Sequence, residues 1–110
     1  MLNETSTADR MIDTFLPVTE SQGPGTAREA YATRVGPTGM EMNLLGSPTS
    51  RYSWVEFSLP TNGYRIKALG EVVAVSGSGE GKTRVQLRFK HLFPQDRREM
   101  DGFLNAREAA

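Results

Sequence analysis

A chain of 110 residues with 13 basic and 13 acidic side chains suffices for one compact domain and has no net charge, which argues against a multidomain enzyme and against a whole-chain pull toward nucleic acid or anionic membrane. The absence of cysteine removes disulfides, thiolate metal sites and thiol catalysis, and the single histidine, His91, excludes a multi-histidine metal site within one chain. No apolar run approaches the roughly 18 residues of a membrane helix, and the start lacks the basic and then apolar layout of a leader, so a soluble cytoplasmic protein without membrane insertion is expected.

The first ten residues, MLNETSTADR, are polar and unpatterned and read as a flexible arm ahead of a single domain at 11–110. MIDTFLPVT at 11–19 mixes apolar and β-branched residues before the loop former SQGPG, the pattern of a strand. REAYATR at 28–34 runs directly into Gly36, Pro37 and Gly39, which suit a tight turn between two strands. Beyond that turn Met40, Met42 and Leu44 share one face while Glu41 and Asn43 take the other. GSPTS breaks this strand at 46–50. Val55, Phe57 and Leu59 then alternate with Trp54, Glu56 and Ser58 as far as Pro60 and the turn TNG. YRIKALGEVVAV at 64–75 supplies the partner strand, and Gly70 midway permits a bulge or bend that helps a sheet close.

SGSGEGK at 76–82 consists of turn formers and reads as a linker. The cleanest alternation follows, with Val85, Leu87 and Phe89 inward against Arg84, Gln86, Arg88 and Lys90 outward. Pro94 is placed like a first-turn proline, and Met100, Phe103, Leu104 and Arg107 recur at helical spacing. Gly102 costs that helix about 1 kcal/mol relative to alanine, so it depends on docking its apolar stripe against the sheet. Five or six strands, short turns and a trailing helix predict a mainly β fold, an antiparallel barrel that is closed or nearly so.

Most apparent catalytic signals have plainer readings. SGSGEGKT at 76–83 resembles a phosphate-binding loop, but the position five before Gly81 holds Ser76, and a strand follows where a helix is required. His91 closes a strand near Asp96 and Asp101, with no positioned nucleophile, and reads as a structural residue. Asp96, Glu99 and Asp101 fall near a helix start, where the helix dipole favours acids. Arg84, Arg88 and Lys90 point together from one strand and Arg65 and Lys67 from a neighbour, a cationic stripe able to meet phosphate or a protein surface. The competing account is a solvated face with cross-strand partners such as Glu56 and Glu71. Single-stranded nucleic acid would want aromatics interleaved with the cations, whereas Tyr64 and Trp54 alternate with them, which leaves a nucleic-acid-binding barrel as a distant alternative.

The order of features resembles a PilZ domain over residues 10–107: a polar arm with Arg10, the strand pair WVEFSLP and YRIKALGEVVAV, and RVQLRFKHLFPQDRREMDGFL, which resembles the family's run from a strand ending in Phe into a proline-started helix. The resemblance implies a small six-stranded antiparallel β-barrel with a C-terminal helix in a bacterial cytoplasm, commonly a receptor for cyclic di-GMP. In that family the dinucleotide is held by an RxxxR motif before the first strand and a D/N-x-S-x-x-G motif at the second-to-third strand turn. Guanidinium forks grip phosphate and guanine edges, and the glycine lets backbone approach the ligand. Here Gly39 matches the final glycine, but Gly36 stands at the serine position and Arg34 at the Asp/Asn position. Arg10 matches one arginine of the first motif, while Ser6 and Thr14 occupy the places of its partner.

Two functional readings follow from the resemblance. In one, Arg10, Arg28, Arg34, Gly36 and Gly39 form an atypical cyclic di-GMP site. In the other, favoured because a lost bidentate arginine costs on the order of a few kcal/mol, the chain is a non-enzymatic adaptor without a cofactor that acts through protein partners, as degenerate members do in motility and pilus control. Its expected contact residues are Arg84, Arg88 and Lys90 on the strand face and Arg97 and Arg98 on the helix. Phe103 and Leu104 are expected to plug the barrel.

Overall fold

The computed structural model describes residues 11–48 and 50–109, without the side chains of 108 and 109. Six antiparallel strands form a closed barrel: β1 (Ile12–Ser21), β2 (Arg28–Val35), β3 (Gly39–Leu45), β4 (Tyr52–Ser58), β5 (Arg65–Gly79) and β6 (Lys82–Leu92), followed by helix α1 (Pro94–Ala109). Around the barrel the order is β1-β2-β3-β6-β5-β4, with β1 and β4 closing it through Thr19↔Glu56, Glu20↔Val55 and Ser21↔Trp54.

The alternation in each strand turns one set of side chains inward. Leu16 and Val18 of β1, Met40, Met42 and Leu44 of β3, Val55 and Phe57 of β4, Ile66 and Ala68 of β5, and Val85 and Leu87 of β6 are all buried. The register sets Ala30 and Ala32 of β2 beside Leu44 and Met42 of β3, so small residues make room for large ones in a narrow barrel. Phe89, expected inward, is only partly buried against this core. The same alternation carries Glu20 inward, fully buried, and β1 runs past Thr19 to include it.

Two local departures shape β5. The register against β6 shifts between Leu69 and Gly70, as the glycine in the strand predicted, and Gly70 and Glu71 are both buried on either side of the normal alternation. The strand also extends to Gly79, so most of the expected linker is strand. The turn is confined to Glu80 and Gly81, both at positive φ (58° and 76°). Turn-forming composition at 76–79 is overridden because β6 offers a continuous ladder down to Lys82.

Helix α1 starts at Pro94, whose missing N–H is no loss in a first turn, and buries Met100, Phe103 and Leu104 in the barrel core. It lies across the end where the β2–β3 turn, the β4–β5 turn and the start of β1 gather. Asn62 Nδ2 donates to Glu99 Oε1 (3.2 Å), an Arg97 Nη1 donates to the Pro37 carbonyl, and Arg107 Nη2 donates to the Asp13 carbonyl (2.9 Å). Asp96, buried in the first turn, accepts from the Tyr64 hydroxyl at 2.8 Å and from the Lys67 amide at 3.1 Å. That bond to the Asp96 carboxylate raises the Tyr64 hydroxyl above its ordinary pKa. The helix is therefore docked by polar pins around an apolar stripe, which offsets the weak helix formers within it.

Candidate functional site

The β2–β3 turn creates the most informative surface of the molecule. The Gly36 amide donates to the Gly39 carbonyl (2.9 Å), and Phe89 of β6 donates to the Thr38 carbonyl (2.8 Å), so the turn is held against β6. At Gly39 a Cβ would lie 2.1 Å from the Leu87 carbonyl oxygen, a distance no side chain tolerates. Only glycine lets β3 approach β6 this closely. The depression here has a volume of about 490 Å³ and is lined by Met11, Arg34, Thr38, Gly39, Val73, Gln86 and Arg88, among others. It thus brings together Arg34 and Gly39, expected for a ligand, with Arg88, expected for a partner. Gly36 shapes the turn without lining the depression.

The arginines differ sharply in availability. Arg34 is less than half exposed and faces Asp13 at 3.7 Å. Arg28 lies six residues earlier on β2, about 20 Å away along an extended strand, and is built into the opposite end of the wall. Its Nε donates to the buried Glu20 Oε1 at 2.8 Å, and its two Nη atoms donate to the carbonyls of Leu45 (3.3 Å) and Ser47 (3.1 Å). Glu20 Oε2 accepts from Ser53 Oγ (2.7 Å) and Gln22 Nε2 (2.9 Å). The structure therefore separates Arg28 from Arg34 and Gly39 instead of gathering them, because its guanidinium is drawn to a carboxylate that has no access to water. Arg10 lies outside the described residues.

On the cationic face, Glu71 is the organising group. Only 5% exposed, it stands directly opposite Arg88 in the β5–β6 ladder. Arg88 Nη2 donates to Oε1 (2.8 Å), Arg51 donates to Oε2 through Nη2 (2.6 Å) and Nε (2.8 Å), and Lys90 Nζ is 3.9 Å from Oε1. Hydrogen bonds from Arg88 and then Arg51 hold the Glu71 carboxyl down at about 2. The cross-strand account of the stripe thus applies to Arg88 and Lys90, and Glu56 similarly lies 3.9 Å from Arg65. Arg84 is exposed and no carboxylate among the described residues pairs with it. On the helix, Arg98 is exposed and donates to Gln95, whereas Arg97 is partly buried against Pro37 and does not stand free of the fold as expected. His91 is exposed, edge-on to Phe93 at 4.9 Å.

Sequence reasoning missed Arg51, which sits twenty residues before Glu71 in a loop, with no local signal to connect them. It also missed Glu20, although the phase of Leu16 and Val18 placed that residue inside. Among the described residues no cluster of three His, Asp or Glu side chains is placed to hold a metal, and no helix is long and apolar enough to cross a membrane.

The closed six-stranded barrel with one C-terminal helix is a PilZ-like fold. Among solved structures the chain is similar to the Bacillus subtilis inhibitor of motility, MotI/DgrA, with a TM-score of 0.75 and 14% sequence identity. The match covers 90% of this chain and 49% of that one, so the chain spans about half the length of its structural neighbour. No family model and no curated protein matches the sequence.

Proposed function

We propose that this chain is a non-enzymatic regulatory domain, a PilZ-like adaptor that acts through protein partners in bacterial signalling, with motility, the process its structural neighbour is named for inhibiting, as the field of action. The observation that carries this reading is the fate of the arginines. Arg28 is committed to buried Glu20, and Arg88 to Glu71, so among the described residues the depression at Gly39 retains no pair of unengaged guanidinium forks to clamp a dinucleotide. The exposed Arg84 and Arg98 remain for a partner. Rim cations of this kind mainly steer and select partners.

A second reading is favoured by one feature, the convergence of Arg34, Gly39 and Arg88 on a single depression. In it the chain is an atypical cyclic di-GMP receptor in which Arg10 completes the phosphate site. Calorimetric titration with cyclic di-GMP separates the two. The adaptor reading expects no heat and no rise in melting temperature at high ligand concentration. Micromolar binding, lost in Arg34→Ala or Arg10→Ala, overturns it in favour of the receptor.

A further inference from the structure

β5 is the longest strand of the barrel, and β4 covers only its first half. The β4–β5 ladder runs from Ser58↔Arg65 to Tyr52↔Glu71, while β6 follows β5 as far as Gly79↔Lys82. On the side away from β6, the Val72 amide donates to the Arg51 carbonyl at 2.7 Å. Past that bond no strand among the described residues pairs with 73–79 on this side. These residues are all exposed, Val73 at 48% and Val75 at 50%. Backbone N–H and C=O groups of a strand point alternately to its two sides, so part of this stretch presents its donors and acceptors to an open lane. Exposed edges are ordinarily blunted by lysine, proline, an inward charge or a β-bulge. The run VVAVSGSG at 72–79 contains no lysine, proline or charge, and its register shifts, between Val72 and Ala74 and between Gly77 and Gly79, leave a regular stretch at 74–77.

We propose that this edge is a docking site for an extended segment of a protein partner, which adds a strand beside β5 and carries acidic side chains on its outward face. Charge complementarity selects the occupant. Arg84 on β6 stands opposite Ser76, and Gln86 opposite Ala74. Ser76 and Ala74 are small, and a strand added beside β5 would lie two strand spacings, about 9.6 Å, from β6, a gap that Arg84 and a facing carboxylate side chain would bridge together. Neither Arg84 nor the exposed Lys82 has a carboxylate partner among the described residues, whereas Arg88, further along the same strand, is already held by Glu71. Carboxylates on the added strand would supply the missing counter-charge, and Val73 and Val75 would supply apolar contact. A second copy of this chain is a poorer occupant, since its own 72–79 edge brings no carboxylate. Self-pairing would set the Arg84 and Lys82 pairs of both copies against each other across the new sheet.

The inference takes its biology from the adaptor reading, but its test does not depend on that reading. The probe is a short capped peptide alternating valine with glutamate, with a valine and lysine peptide as control, added to the whole chain and followed by residue-resolved amide exchange. Slowed exchange confined to those amides of 73–79 that face away from β6 is expected, with binding lost when the peptide backbone is N-methylated at alternate positions. Arg84→Glu should weaken the acidic peptide about fivefold and improve the lysine peptide. A Val73→Lys and Val75→Lys double variant, folded by its unchanged melting curve, should block binding. No protection at millimolar peptide, or equal binding of the two peptides, overturns the proposal. So does concentration-dependent dimerisation that the double variant abolishes, since that assigns the edge to a second copy. The adaptor reading survives any of these results, because it stands on the cyclic di-GMP titration.

Discussion

Two nearly buried glutamates sit in the wall of this barrel, each bound by arginine, and they do different things. Among the described residues Glu20 meets one cation, Arg28, and its other oxygen accepts from Ser53 and Gln22. The cluster is electrically closed, far from the depression at Gly39, and ties β1 to the start of β2, to β4 and to the loop after β3. Glu71 meets three cations, Arg51, Arg88 and Lys90, and leaves a surplus of positive charge at the surface beside that depression. An arginine's sequence position next to a turn therefore says little about its availability to a ligand. What decides it is whether a buried carboxylate claims the guanidinium first, and whether other cations share that carboxylate.

Removing Arg28 is the harshest way to break the comparison. Arg28→Ala leaves Glu20 buried with only a hydroxyl and an amide for company, and should cost about 3 kcal/mol in denaturant unfolding. A loss no larger than that of a surface substitution would show that Glu20 is hydrated and that the two clusters are alike. Next in size is Gly39→Ala, which drives a methyl group into the Leu87 carbonyl and should cost about 1–3 kcal/mol as β3 and β6 separate. Its chemical shift changes should centre on β3 and β6, leaving the Glu20 cluster unmoved.

The gentlest test is acid titration of Glu71. Its carboxyl is held at about 2 in the folded chain against an ordinary value of 4.5, so the unfolded chain takes up this proton first. The stabilisation is present in full above about pH 4.5 and is lost as the pH falls toward 2. Glu71→Gln should remove that limb from a plot of stability against pH, while leaving the plot near neutrality flat. An unchanged acid limb in the variant would mean that Arg88 and Arg51 do not hold the carboxylate as the geometry indicates.

Much of the barrel is legible in the sequence because alternation reports burial directly. Met40, Met42 and Leu44, or Val85 and Leu87, announce their face without help from tertiary structure. The length of β5 was not legible, since Ser76 and Gly77 through Gly79 carry turn chemistry and are held extended only by the opposite strand. The site was legible only in part. Gly39 showed itself through the turn it ends, but the partners of Arg28 and Arg88 are set by side chains on strands or loops distant in sequence, which no local pattern encodes. Arg97 illustrates the same limit, exposed by helical phase yet drawn in by the Pro37 carbonyl on a turn sixty residues away.

The most direct test of the adaptor account is a residue-resolved amide spectrum of the whole chain titrated with cyclic di-GMP. The account predicts that the amides of Arg34, Thr38, Gly39 and Arg88 stay in place at millimolar dinucleotide. Saturable movement of those amides, together with Arg10, would contradict it and make the depression at the β2–β3 turn a nucleotide site.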